Sequence, residues 1–133
     1  MLKGACNCGA VAFEIQAPIK DICVCHCSIC RRASGVHGMA VLVVAQSAFT
    51  WVQGQDQMSH WQKPGHDWAT SFCRCCGSTL PGQNDTERLF VPAGLIFEGS
   101  ANLQVAHHIF VGSKAPWFEI GDGGKQHPEA FEG

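Results

Sequence analysis

The chain has no apolar run approaching the ~18 residues that a membrane-spanning helix needs; its longest lies around Met39 to Ala45. Basic charge is scarce. Nine Lys and Arg stand against eleven Asp and Glu, a net charge of −2 with histidines neutral, and Arg31-Arg32 is the only adjacent basic pair. Neither a nucleic-acid partner nor a membrane is therefore expected. No Ser-His-Asp order and no phosphate-cradling glycine loop occurs, so hydrolase and nucleotide chemistry find no support. There is no low-complexity segment. The first residues, Met1-Leu2-Lys3-Gly4-Ala5-Cys6, contain neither an apolar h-region nor a cleavage pattern, and a cytoplasmic protein is expected.

What the chain does have is cysteine. Nine fall in three groups: Cys6-Asn7-Cys8-Gly9, then Cys23-Val24-Cys25-His26-Cys27-Ser28-Ile29-Cys30-Arg31-Arg32, then Cys73-Arg74-Cys75-Cys76-Gly77. A disulfide-stapled domain is the competing reading. The odd count leaves one thiol over, and Cys-x-Cys and Cys-x-x-Cys spacings bring sulfurs to one point, as a tetrahedral zinc with Zn–S near ~2.3 Å requires. Metal is the better reading. At 133 residues and 46% hydrophobic, residues 1–133 are expected to be one domain able to bury roughly two thirds of its unfolded surface.

Val11, Phe13 and Ile15 alternate with Ala12, Glu14 and Gln16, the period of a half-buried strand entered from the first cysteine turn. Ser28 to Ser34 has helix formers behind a serine that would cap it, and Gly35 would stop it. Met39–Ala45 and Phe49–Val52 read as buried strands. Gln57–Trp61 and Trp68–Cys73 bracket Pro64-Gly65 as a hairpin delivering the third cysteine group, in which Gly77 permits the tight turn of a zinc knuckle. Arg88–Pro92 and His107–Val111 are further predicted strands, with a loop from Gly94 to Gly99. Lys114–Ile120 would pack back by its aromatics, and residues 121–133, rich in Gly and Pro, are expected to be a loose tail.

One zinc takes four ligands, so nine thiols allow two sites. A four-cysteine structural site pairs two short knuckles distant in sequence, which suits Cys6 and Cys8 with Cys73 and Cys76. Cys25, Cys27 and Cys30 remain as a three-thiolate group with one position open, the mark of a catalytic zinc. Cys23 or His26 could instead close it. Cys75, inside a knuckle, is most simply a spare buried thiol.

The ordered motifs Cys-x-Cys-Gly, Cys-His-Cys-x-x-Cys-Arg-Arg, Phe-Cys-x-x-Cys-Gly-Ser and the late His-Ile-Phe-x-x-x-Lys-Ala-Pro-Trp resemble the glutathione-dependent formaldehyde-activating enzyme family, from Cys6 to about Ile120. The resemblance implies a mainly β fold, mostly antiparallel with a minor α part, built around a zinc ribbon and similar to the B-type methionine sulfoxide reductases. It also implies two zinc ions per chain: a structural one on Cys6, Cys8, Cys73 and Cys76 and a catalytic one on Cys25, Cys27 and Cys30. The implied activity is that of a carbon–sulfur lyase joining glutathione, or a related small thiol, to formaldehyde or another small carbonyl. A glutathione- or zinc-carrying module without chemistry is the alternative, and thiol redox chemistry through Cys27 and Cys30, or Cys23, a further one.

Arg31 or Arg32 would hold a glutathione carboxylate by charge-assisted hydrogen bonds, or else be solvated near a helix C-terminus. His108, which matches the late motif, would act as donor or general acid–base to a substrate oxygen, or else be a hydrogen-bonded strand residue. Trp117 would cover the pocket or join the core.

Overall fold

A computed structural model describes residues 1–131. In chain order the elements are β1 (Leu2–Ala5), β2 (Ala12–Ile15), β3 (Asp21–Cys25), α1 (Ser28–Ser34), β4 (Met39–Ala45), β5 (Phe49–Gln53), β6 (Met58–Gln62), β7 (Ala69–Cys73), β8 (Gly82–Gln83), β9 (Arg88–Pro92), β10 (Ile96–Glu98), β11 (Gln104–Ile109) and β12 (Lys125–Gln126), with short 3₁₀ turns between several of them. Among the described residues the fold is thus mainly β with one α-helix.

The strands form a four-stranded sheet in the order β10-β1-β2-β5, a six-stranded sheet β12-β11-β3-β4-β9-β8 and the hairpin β6-β7. Most pairings are antiparallel, but β11 runs parallel to both β3 and β12. The main core lies where the two larger sheets face each other. Leu2, Phe13 and Ile15 come from one sheet and Leu42, Val44 and Val91 from the other, each burial contributing roughly 1.5–3 kcal/mol before chain entropy is counted.

Alternation explains β2, whose Phe13 and Ile15 are buried while Ala12 and Glu14 are not. The unbroken apolar run of β4 has another cause. Leu42 and Val44 enter the core, while Val41 and Val43 line a cavity on the other face of the same central strand. One strand therefore needs apolar residues on both sides.

Several expectations are corrected. β5, expected to be buried, is an edge strand with Thr50, Val52 and Gln53 exposed. Gly94–Gly99 is not simply a loop, because Ile96–Glu98 supplies β10 against β1. The segment from Gly121 is not loose: Lys125 and Gln126 pair with His107 and His108. Its last residues, 132–133, lie outside the described residues. Finally, α1 is capped by Cys27 rather than Ser28, its sulfur accepting the Cys30 N–H, while Gly35 stops it at φ 76° as expected. Among the described residues no helix is long and apolar enough to cross a membrane.

Candidate metal centre and active site

The chain brings seven of its cysteines into two clusters. In the outer one, the turn between β1 and β2 carries Cys6 and Cys8, and the end of β7 carries Cys73 and Cys76. Gly9 and Gly77 occupy matching places after each pair at φ 80° and 79°, a backbone that favours glycine. Ser78 ties the two turns together. Its hydroxyl accepts the Asn7 N–H at 2.9 Å and lies 3.2 Å from the Cys76 sulfur. The four sulfurs lie within 4.8 Å of one another, with Cys6 and Cys8 3.6 Å apart and Cys8 and Cys73 3.8 Å apart. A zinc ion ~2.3 Å from each of four sulfurs sets edges of about 3.8 Å, so the set fits.

The electrostatics of the four are divided. The Ser78 hydroxyl and amide hold Cys76 down to about 6. At Cys8 the Ala10 amide favours the thiolate, but burial and the neighbouring sulfurs outweigh it and push the thiol up to about 12. Sulfurs this close resist carrying four negative charges without a cation among them.

The inner cluster sits where β3 gives way to α1. Cys25 ends the strand, Cys27 caps the helix and Cys30 lies in its first turn, their sulfurs again within 4.8 Å of one another. Among the described residues no fourth Cys, His, Asp or Glu joins them at that range. The two candidates for closing the site are both placed elsewhere. Cys23 shares the strand face of Cys25 and lines the same cavity, but its sulfur is outside the cluster. His26 points to the opposite face, where its ring bonds His108. The Cys30 thiol holds Cys25 down to about 6 against its burial, aided by the Cys27 amide. Cys30 in turn is raised well above the ordinary thiol range, first by Cys25 and then by burial.

Beyond the sulfurs lies a cavity of about 190 Å³ walled by Cys23, Cys25, Cys30, Met39, Trp68 and Phe90. Trp68 stacks on Phe90 with centroids 5.5 Å apart, and its other side forms part of a cleft of about 370 Å³. That cleft runs between α1 and the β6-β7 hairpin and presents Arg32 and Lys63 beside Trp61 and Thr70. Three converging cysteine sulfurs, a small apolar cavity and an adjoining cationic cleft make an arrangement suited to binding a metal and a small anionic ligand side by side.

The sequence model described as "glutathione-dependent formaldehyde-activating enzyme" matches residues 1–113. The chain belongs to this family.

A Halomonas elongata protein that bears the family's name is 35% identical over 88 residues, which cover 60% of this chain and 54% of the relative. The match thus spans about half that relative's length. The solved structure of a Rhodobacter sphaeroides protein superposes with a TM-score of 0.60 at 25% identity, over 74% of this chain and 91% of that one.

Within this member of the formaldehyde-activating family the predicted site residues are distributed unevenly. Cys25, Cys27 and Cys30 are together, and Arg32 lines the adjoining cleft. Arg31 is half-buried, its Nε without a hydrogen-bond partner. His108 is not at the thiolate cavity. It stands opposite Val24 in the parallel pairing, whereas Cys23 and Cys25 stand opposite His107 and Ile109, so its ring lies on the reverse face, 2% exposed. Trp117 is 70% exposed and lines neither the cavity nor the cleft, which overturns a core role. Cys75 is likewise exposed, not buried, and donates to Gln57 Oε1 at 3.3 Å.

Two groups escaped the sequence reading. Trp61, Lys63 and Trp68 form a cleft wall only because the hairpin folds against α1, and no spacing announces that. On the reverse face, His26 Nε2 meets His108 Nδ1 at 2.8 Å, and His108 Nε2 meets Asp122 Oδ1 at 2.8 Å. Cys-His-Cys hinted at His26, but nothing local pointed to Asp122.

Proposed function

We propose that the protein is a zinc-dependent carbon–sulfur lyase, acting on the adduct that glutathione or a related small thiol forms with formaldehyde or another small carbonyl. The observation that carries this reading is the division of seven sulfurs into a set of four and a set of three, the smaller facing a cavity. The outer four would hold a structural zinc. Cys25, Cys27 and Cys30 would hold a second zinc, which when bound would supply a Lewis acid able to lower a thiol pKa and polarise a carbonyl oxygen.

The chain's own residues supply the rest. Arg32 and Lys63 offer charge-assisted hydrogen bonds to the carboxylates of an anionic thiol lying in the cleft. Trp68, a wall of both spaces, marks where the thiol passes from the cleft to the sulfurs. Met39 and Phe90 keep the cavity apolar, and charges act more strongly where water is excluded. In the synthetic direction a C–S bond forms between thiol sulfur and carbonyl carbon while the thiol proton is delivered to the carbonyl oxygen. A cytoplasmic setting belongs to the same proposal, since cysteines that hold zinc need a compartment that keeps them reduced.

Exchange between free glutathione and its hydroxymethyl adduct, followed by two-dimensional NMR, tests the reading. The expected result is exchange faster than the protein-free rate, returning to that rate in Cys27→Ser. Saturable glutathione binding with exchange at the protein-free rate would make the protein a carrier and overturn the enzymatic reading.

A further inference from the structure

The face of the six-stranded sheet opposite the inner sulfurs holds a hydrogen-bonded chain of three side chains, two of them buried, from three separate parts of the sequence. His26, between the ligands Cys25 and Cys27, is fully buried, and His108 of β11 is nearly so. Asp122, whose side chain is 43% exposed, closes the chain from the segment leading into β12. A carboxylate only accepts, so His108 Nε2–H donates to Asp122, and His108 Nδ1 shares the second hydrogen bond with His26 Nε2.

We propose that Asp122 and His108 are positioning residues for the inner metal: they clamp His26 and thereby set the relative placement of the Cys25 and Cys27 sulfurs. This rests on the reading that the inner three sulfurs hold a metal.

His26 has further contacts. Its backbone N–H donates to Ile109 O at 3.0 Å, and its ring lies 6.1 Å from that of His37 and 6.0 Å from that of Phe118, which stack on each other at 3.7 Å. The φ and ψ of the one residue between two ligands decide how those ligands converge, so fixing its ring fixes the loop. Asp122 is itself anchored, accepting the Gly124 N–H at 2.9 Å next to the β11-β12 pairing. The family model ends at residue 113, so Asp122 and β12 lie beyond the matched region. Groups hydrogen-bonded directly to metal ligands are worth about 10–100-fold in affinity, and Asp122 and His108, acting through His26, are expected at the lower end of that range.

Zinc-replete full-length protein, challenged with graded chelator while released zinc is read colorimetrically, tests the proposal. In Asp122→Ala one zinc of the two should leave at chelator concentrations about tenfold lower, with the second zinc released as in wild type. Asp122→Asn, which keeps an oxygen to accept the His108 N–H, should recover most of the loss. Cobalt(II) exchanged into the protein gives a second readout, since ligand-field bands from the three-sulfur site should shift in Asp122→Ala and return in Asp122→Asn. Two zincs leaving Asp122→Ala as they leave wild type, or both weakened alike, would overturn the positioning role alone. A wild type that releases one zinc only overturns the three-sulfur reading and this inference with it.

Discussion

The Cys27 sulfur accepts the Cys30 amide hydrogen at 3.3 Å, so a single atom both caps α1 and belongs to the three-thiolate set. The two roles can be separated. Serine is a strong N-cap and keeps the acceptor, whereas its hydroxyl lacks the soft thiolate character that favours zinc. Cys27→Ser should therefore lower zinc from near two to near one per chain with helix and fold kept. Cys27→Ala should lose the cap as well, at a further cost of about 1 kcal/mol. Elemental analysis beside thermal melts reads both, and a zinc content unmoved by Cys27→Ser would sink the inner site.

The outer cluster should behave differently. Its four sulfurs join the β1-β2 turn to the end of β7, beside a small core of Val11 and Leu80. Metal binding there is expected to contribute on the order of 10 kcal/mol, comparable to the whole stability of a domain this size. Cys73→Ser, at a fully buried position, should abolish the cooperative melt and the near-UV circular dichroism. A Cys73→Ser protein that still melts cooperatively near the wild-type temperature would show that the outer site is dispensable.

What the sequence revealed depended on how local each determinant is. Knuckle spacing sorted the cysteines because Cys-x-Cys and Cys-x-x-Cys converge without help from the rest of the chain. Residue period likewise disclosed β2, and an unbroken apolar run disclosed β4. Cys75 was misplaced because the knuckle turn that buries Cys73 directs the intervening residue outward. The tail was misread because its order comes from β11 pairing and the His108–Asp122 bond, both long-range, while its own Gly-rich composition favours disorder. His108 was recognised as special, but its face could be known only from a parallel register with β3.

A different pair fixes the turn before β9. Asp85 accepts from Arg88 Nε at 2.8 Å and from the Glu87 and Arg88 amides. The Arg88 guanidinium foremost, then the Glu87 amide, holds its carboxyl down to about 2. The folded pKa is thus below the unfolded value near ~3.9, so the contribution is complete above the unfolded pKa and lost as pH falls through the folded one. The stability gap between wild type and Asp85→Asn should stay flat from pH 8 to pH 5 and narrow only below about 4. Denaturant melts of the zinc-loaded proteins measure the flat span, acid releasing thiolate-bound zinc below it, and a gap already changing between pH 5 and 7 would contradict the assignment.

The cleft beside α1 gives the sharpest test of substrate recognition. Arg32 and Lys63 both face it, and a hydrogen bond to a charged group contributes about 1.5–3 kcal/mol. Removing either cation should raise KM for an anionic thiol roughly tenfold or more while leaving kcat near its wild-type value, since such binding is shared by ground and transition states. Esterifying the thiol's carboxylates should cost wild type a similar factor. The decisive comparison crosses the two changes. If Arg32 holds a carboxylate, Arg32→Ala should be nearly indifferent to its esterification, because the partner is already gone. Losses that simply multiply would place the carboxylate away from Arg32, and repeating the cross with Lys63→Ala would then decide whether the cleft holds it at all.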